Sequence, residues 1–390
     1  MKRYFIANTV DEALALLARE GDRARIIAGG TDLLVAMRAG VLESGASGSG
    51  MSAASTIKVG TVAAAAVGDS CAPTVDMHQD SVGTWCFIDV SRIAELRQIR
   101  HEPAAAGGSA SGTAAAGSSA SGSAIGGLAV GGLAVGGPAA VGGLAAGGLA
   151  ASGSASGGLA AGGRLAIGAA VTHARIAGDP LVAAASLILG MAAHSVGSPQ
   201  IRNRGTIGGN VLTAAQCADT IPALLVLDAE LRLRNSAGTE RIVAIRDFFP
   251  KPKCTAIRSD ELLMDIRFAS LAGTNWKGSY YKLIRRAAVA KSRLNFATLA
   301  SLAADGTIAE ARISIGSTLP TPGRFTVAEQ LLKGQRPSAA LVDAAAEACT
   351  AYMIEVAGRR WSAEYKEPVV RNLARRQLAL VLGLEATHDA

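Results

Sequence analysis

Two short stretches place paired glycines where bare backbone could do chemistry. In "RIIAGGTDLLVAMRAG", residues 25 to 40, β-branched residues run straight into Gly29 and Gly30, after which Thr31, Asp32 and a fresh apolar run follow. In "RNRGTIGGNVLTAAQCAD", residues 202 to 219, the device recurs as Thr206-Ile207-Gly208-Gly209-Asn210. Glycine at a strand end lacks the Cβ that keeps a ligand away from the main chain, and a helix starting there adds unpaired N–H donors and a positive dipole end. The guest that suits such a loop is a phosphate. Thr31 is expected to cap its helix and to offer a hydroxyl. Thr206, Gly208, Gly209 and Asn210 offer a hydroxyl, two bare amides and a side-chain amide. One phosphate needs one loop, so two imply a pyrophosphate carrying a large organic body. Taken alone, either pair reads as a tight turn. Neither matches GxGxxG or the phosphate loop GxxxxGKS/T, which points to a cofactor held outside those schemes.

The elements that must position these loops are legible in the periodicity. Residues 3 to 7 read as a strand. "TVDEALALLAREG" reads as a helix with Thr9 as N-cap, Glu12 in capping-box position and Gly21 as terminator. "ARIIAG" is a second strand and "TDLLVAMRA" a short helix closed by Gly40, the opening of an α/β layer. "CFIDVSRIAELRQIR" is a strand, a turn, and a second strand or short helix; "RLAIGA" is another strand. The segment from Asp179 through "PLVAAASLILGMAAHSVG" reads as helical, and a helix runs from Asp219 to about Leu227. A hairpin follows in "AELRLRN" and "TERIVAI", then the strand "ELLMDIRF". "GSYYKLIRR", "NFATLASLAAD" and "GTIAEARISIGS" read as three antiparallel strands, and residues 325 to 384 as helices. A boundary near 270 divides an α/β first part, 1–270, from an α+β second part, 277–385.

Two tracts interrupt this order, at about 43–84 and 104–163. The second is almost wholly Gly, Ala, Ser, Leu and Val, with the repeat "GGLAVGGLAVGGPAAVGGLAAGGLAA". Glycine at that density costs much ordering entropy, and small side chains bury little area in return. The tract separates "LRQIR" from "RLAIG", so it reads as an insertion at a hairpin tip, where added length is thermodynamically cheap. Residues 124 to 152 carry no charge, yet nearly every third is glycine, which argues against a membrane span.

The bulk composition excludes several classes. A net charge of +7 is spread along 390 residues with 4% aromatics, which does not make a nucleic-acid surface. Cys71, Cys86, Cys217, Cys254 and Cys349 are widely spaced without a CxxC, and read as reduced thiols of a cytoplasmic protein. The N-terminus has no secretory pattern. His78, His101, His173, His194 and His388 never fall at metal spacing; His173 reads as a satisfied polar group at a strand end.

"AGGTDLL", "QIRNRGTIGGNVLTAAQCADTIPALLVLDAEL", "YYKLIRR" and "SAEYKEPVV", in that order, resemble the FAD-binding medium subunit of the molybdenum hydroxylases, the xanthine dehydrogenase and carbon monoxide dehydrogenase family. The resemblance spans residues 1–42, 86–101 and 164–385 and omits the two tracts. It implies an α+β fold: two α/β FAD-binding subdomains, vanillyl-alcohol-oxidase/PCMH-like, followed by a C-terminal domain of three-stranded antiparallel sheet plus helices. It implies FAD bound by Arg25, Ile26, Ile27, Ala28, Gly29, Gly30, Thr31 and Asp32 in the first loop. Around the second loop it implies Val196, Gly197, Ser198, Ile201, Gly205, Thr206, Gly208, Gly209, Asn210, Leu212 and Thr213. Asp219, Leu263 and Lys282 complete the implied set. From the residues alone Asp219 is equally an N-cap for "IPALLVL" and Lys282 a surface strand lysine.

The implied activity is electron transfer from the [2Fe-2S] clusters of a small subunit through FAD to an acceptor. A large molybdopterin subunit completes the complex, a dimer of heterotrimers. The 4-hydroxybenzoyl-CoA reductase branch inserts a cysteine-rich [4Fe-4S] segment after the second loop; here Cys217 stands alone in that stretch and no cluster is expected. No residues are expected to bind metal, and none is nominated as catalytic. A self-sufficient flavin oxidase of the same fold is the alternative, and a non-enzymatic scaffold organised by the glycine-rich tract a third reading.

Overall fold

A computed structural model describes residues 3–38, 85–103, 163–286 and 291–384, which belong to one compact unit. The glycine-rich tracts fall almost wholly outside the described residues.

The chain opens with β1 (Arg3–Ile6), α1 (Val10–Glu20), β2 (Ala24–Ile27) and α2 (Leu33–Arg38). Thr9 Oγ1 accepts the N–H of Glu12, while the Glu12 carboxylate accepts from Asn8 rather than from Thr9, a capping box displaced by one residue. Gly21 ends α1 at φ 53°. With β3 (Cys86–Asp89) these strands form a parallel sheet of order β1-β3-β2, pairing Arg3 with Cys86 and Cys86 with Ala24. Leu14, Leu17, Ile88 and Leu96 build its core together with Leu262 and Met264 from a later strand. That sharing ties the small sheet to the larger one.

The larger sheet is antiparallel, with β4 (Ile99–Glu102), β5 (Arg164–Gly168), β6 (Glu230–Asn235), β7 (Glu240–Ala244) and β8 (Glu261–Ala269) in the order β4-β5-β8-β6-β7. β4 pairs with β5 from Ile99↔Ile167 to Glu102↔Arg164, as the two ends of the long tract require. One face carries Leu165, Ile167, Leu231, Leu233, Ile266 and Phe268 into the main core. Each such side chain removed from water contributes roughly 1.5–3 kcal/mol. On the opposite face Asp265, 1% exposed, takes hydrogen bonds from Arg100, Arg232 and Arg267. Burial would raise its carboxyl, but the two guanidinium groups of Arg232 and Arg267 outweigh that and hold it below the usual range.

Six short helices cover the core face: α3 (His173–Gly178), α4 (Pro180–Ala185), α5 (Leu187–His194), α6 (Pro199–Arg204), α7 (Ile207–Thr213) and α8 (Ile221–Val226). The continuous apolar run after Asp179 is broken at Ser186, which is extended at φ −165° and ψ 98°. The carbonyl of Ala185 instead accepts the N–H of Leu271 just after β8, so a tertiary bond overrides the helical period.

β9 (Lys277–Leu283), β10 (Leu294–Leu302) and β11 (Ile308–Gly316) form the expected antiparallel sheet, ordered β11-β10-β9. α9 (Thr326–Leu332), α10 (Ala339–Ala357) and α11 (Ala363–Leu382) pack on it through Phe296, Ile313, Phe325, Met353 and Leu378. Among the described residues no helix is long and apolar enough to cross a membrane.

Cys86, Cys217 and Cys349 are free thiols, Cys349 pushed up to about 12 by burial. Cys254 is disulfide-bonded, which departs from the reading of five reduced thiols.

Candidate functional site

The two glycine loops are in contact. A Cβ built on Gly29 would lie 2.0 Å from the carbonyl oxygen of Arg204 and 2.9 Å from Cα of Gly205. Gly29 is therefore required by the close approach of the first loop to the end of α6, where the second loop begins. Gly30 follows at φ +71°, and its carbonyl accepts the N–H of Leu34 at 3.0 Å. Helix α2 starts only at Leu33, so Thr31 does not cap it as expected. The amides of Gly29, Gly30, Thr31 and Asp32 have no hydrogen-bond partner among the described residues. Asp32 Oδ2 accepts from Thr213 Oγ1 at 3.4 Å, a second link across the loops.

The second loop is built differently. Gly197, at φ +44°, and Ser198, which caps α6 through the N–H of Ile201, turn the chain into the short α6. After Gly205 the N–H groups of Ile207 and Gly208 donate to Val171 and Ala169, and that of Gly209 to Thr206 Oγ1. The two bare amides expected at Gly208 and Gly209 are thus already spent within the protein. Gly208 is needed for packing, because its Cβ would meet the Ala169 carbonyl at 2.6 Å. Gly209 is open by contrast, with only Thr206 Oγ1 within reach of its Cβ, at 3.1 Å. Asn210 Oδ1 accepts from Thr220 Oγ1 at 2.7 Å, which leaves its NH₂ group as the donor this loop can present.

The other expected residues take varied places. Ile26, Ile27 and Ala28 are half-buried where β2 runs into the loop, and Ile201 and Leu212 are half-buried beside the second. Val196 is buried at the end of α5. Arg25 is buried with its guanidinium turned back to the carbonyls of Asp22 and Ala24 and stacked 4.0 Å over Trp85. Burial lowers its pKa to about 10. Leu263, 1% exposed, is part of the main core.

Asp219 and Lys282 meet in a buried polar cluster. Lys282 Nζ lies 2.8 Å from Asp219 Oδ2 and 2.8 Å from the Ser195 carbonyl, so Lys282 is no surface lysine. Thr220, and not Asp219, is the N-cap residue of α8. Ser292 Oγ donates to Asp219 Oδ1, Tyr280 OH to the Asp219 carbonyl at 3.1 Å, and Asn295 Nδ2 to the Ala218 carbonyl at 2.8 Å. Burial pushes the Asp219 carboxyl up, and Lys282, Ser292 and Asn295 pull the other way. Burial next to that carboxylate also raises the Tyr280 phenol well above its ordinary value. Sequence reasoning missed Ser195, Tyr280, Ser292 and Asn295. Tyr280 alone left a signal, since two residues before Lys282 on a strand is the same face. Ser292 lies before β10, where no periodicity marks it.

His173 corrects a further expectation. It is 2% exposed, its Nδ1 has no partner among the described residues, and its ring edge flanks Gly205. Burial, with Arg202 nearby, lowers its pKa from 6.5 to about 4. The folded protein thus holds it neutral while the unfolded chain protonates near pH 6.5. Stability from this group is full above pH 6.5 and is lost as pH falls to about 4, a change of about 3 kcal/mol. Urea denaturation at pH 7 and pH 4 should show His173→Gln losing about 3 kcal/mol less than the wild type across that range. Equal losses would remove His173 from the account.

Paired glycine loops, unpartnered backbone amides and a covering antiparallel module define a cofactor-binding α+β protein outside the Rossmann class. Residues 158–269 match the family described as the FAD binding domain in molybdopterin dehydrogenase, and residues 279–381 the CO dehydrogenase flavoprotein C-terminal domain. The nicotine 6-hydroxylase medium subunit of Paenarthrobacter nicotinovorans is 30% identical over 211 residues, covering 54% of this chain and 72% of that protein. The carbon monoxide dehydrogenase medium chain of Hydrogenophaga pseudoflava is 28% identical over 217 residues, 54% of this chain and 72% of that one. The fold is also that of a solved structure of carbon monoxide dehydrogenase from the same organism. TM-score is 0.68 at 22% identity, covering 98% of this chain and 97% of that chain. The chain belongs to the FAD-binding medium subunits of the molybdopterin dehydrogenases, oxidoreductase subunits of molybdenum hydroxylase complexes.

Proposed function

We propose that this chain passes electrons from the [2Fe-2S] clusters of a small partner subunit through FAD to an acceptor, beside a large molybdopterin subunit in a dimer of heterotrimers. The FAD-binding part is 1–270 and the C-terminal part 277–385. The observation that carries the cofactor assignment is the run of four unpartnered amides from Gly29 to Asp32, pinned against the second loop. Those N–H groups suit the negative charge of a pyrophosphate. The open side of Gly209, the Thr206 hydroxyl, the Asn210 amide, Thr213 and Lys282 supply the remaining contacts. Bound FAD supplies the redox chemistry; the protein orients it and sets its electrostatic surroundings. The partners are supported by the medium-subunit and medium-chain relatives, which are components of larger enzymes.

The purified chain should show flavin absorption bands after incubation with FAD. Its flavin should be reduced by substrate only once the iron–sulfur and molybdopterin subunits are added. A chain that takes up no FAD contradicts the cofactor assignment. Substrate-driven bleaching of the isolated chain would replace electron transfer by the oxidase reading.

A further inference from the structure

The segment between α7 and α8, residues 214 to 220, carries the second glycine loop on one side and the C-terminal module on the other. The C-terminal module holds it at Gln216, Ala218 and Asp219. Ser317 N–H donates to the Gln216 carbonyl at 2.7 Å, and Gln216 Nε2 donates to the Pro320 carbonyl at 2.8 Å. Asn295 holds the Ala218 carbonyl, Tyr280 the Asp219 carbonyl, and Lys282 and Ser292 one carboxylate oxygen each of Asp219. Ala214 and Ser317, at φ 48° and 66°, are non-glycine residues in the left-handed region, and both stand at this junction. Such backbone is strained and persists where surrounding contacts over-determine it. The next residue, Thr220, donates to Asn210 of the second loop.

Two of the three Lys282 N–H groups are committed, to Asp219 and to the Ser195 carbonyl. The third has no partner among the described residues. A flexible four-carbon side chain keeps its ammonium in one place only if the counter-carboxylate is itself fixed. Asp219 is fixed at its second oxygen by Ser292, which is 7% exposed.

We propose that Ser292 is a positioning residue for FAD: by holding Asp219 it fixes the Lys282 ammonium between the α7–α8 segment and the Ser195 carbonyl, so that the C-terminal module sets cofactor affinity. This rests on the FAD assignment above. Ser292 acts through Asp219 and Lys282 and touches neither loop.

The test uses the full chain, freed of cofactor and titrated with FAD by quenching of flavin fluorescence. Ser292→Ala should weaken FAD binding about tenfold, the scale of one lost hydrogen bond to a charged group. Ser292→Thr, which keeps the hydroxyl, should stay within about twofold, and Ser292→Cys, a weak donor of similar shape, should fall between. In a Lys282→Met background Ser292→Ala should cause no further loss. The denaturation midpoint of the cofactor-free Ser292→Thr and Ser292→Cys proteins should be equal, which a merely structural serine would not give. Wild-type affinity in Ser292→Cys or Ser292→Ala overturns the proposal while FAD binding stands. So does a full tenfold loss persisting without Lys282. A wild-type chain that binds no FAD overturns this inference and the FAD assignment together.

Discussion

One methyl group at Gly29 is expected to separate the two loops of the site. In Gly29→Ala the new Cβ falls 2.0 Å from the Arg204 oxygen, 2.8 Å from its carbonyl carbon and 2.9 Å from Gly205 Cα. All three are backbone atoms, so no flexible side chain can swing aside. Either the first loop lifts from the end of α6 or the α6 turn moves, with the hydrogen bond from Gly205 N–H to Ile201 at stake. Overpacking typically costs 1–3 kcal/mol, and a backbone collision places this change near about 3. The variant should melt at lower temperature and bind no FAD. Gly209→Ala is the comparison, because its Cβ meets only Thr206 Oγ1, at 3.1 Å. That protein should melt like the wild type without cofactor and still bind FAD poorly. A Gly29→Ala protein with wild-type melting and full flavin content would refute the joined-loop account.

This contrast shows what the sequence could and could not carry. The pairing of glycines ahead of an apolar run is a local signal; Gly29 and Gly30 do follow strand β2, whereas Gly208 and Gly209 lie in the first turn of α7 behind helix α6. What each glycine does is not local. Gly29 answers to the carbonyl of Arg204 and Gly208 to that of Ala169, residues far away or on another element. The division of labour was hidden for the same reason: the amides of Gly208 and Gly209, bare in the linear text, are spent on Ala169 and Thr206, while those of the first loop have no partner among the described residues. Strands declared themselves wherever alternation was strong, as in the β6–β7 hairpin and the β9–β11 sheet. The pairing of β4 with β5 was legible across the glycine-rich tract, which reads as an insertion at a hairpin tip; its register was not. The break at Ser186 was not, since Leu271 makes it from outside the helix. Asp219 had the right type in the right place, but its partners Lys282 and Ser292 come from β9 and the approach to β10.

The Asp219–Lys282 pair should be a costly polar contact to break. Lys282 is 8% exposed and Asp219 11% at their side chains, and they lie 2.8 Å apart. Removing one partner of a buried pair leaves an uncompensated charge and typically costs about 3–5 kcal/mol. Asp219→Ala should show that loss in urea denaturation at pH 7, since the ammonium keeps only the Ser195 carbonyl. Lys282→Met should behave differently. Burial already pushes the Asp219 carboxyl up, and loss of the lysine removes its largest opposing influence. A carboxyl whose folded pKa lies above its unfolded value disfavours the ionised fold. The stability of Lys282→Met should therefore rise, relative to wild type, as pH falls through that raised pKa. Asp219→Ala has no such remedy, because the stranded charge there is positive. The double variant Asp219→Ala with Lys282→Met leaves neither partner's charge buried and should cost less at pH 7 than the two single changes summed. Additive costs, or a Lys282→Met protein that tracks the wild type at every pH, would show the pair to be uncoupled. Coupling of the expected sign would make this ion pair a bond between the C-terminal module and the α7–α8 segment, whose Thr220 holds Asn210 of the second glycine loop.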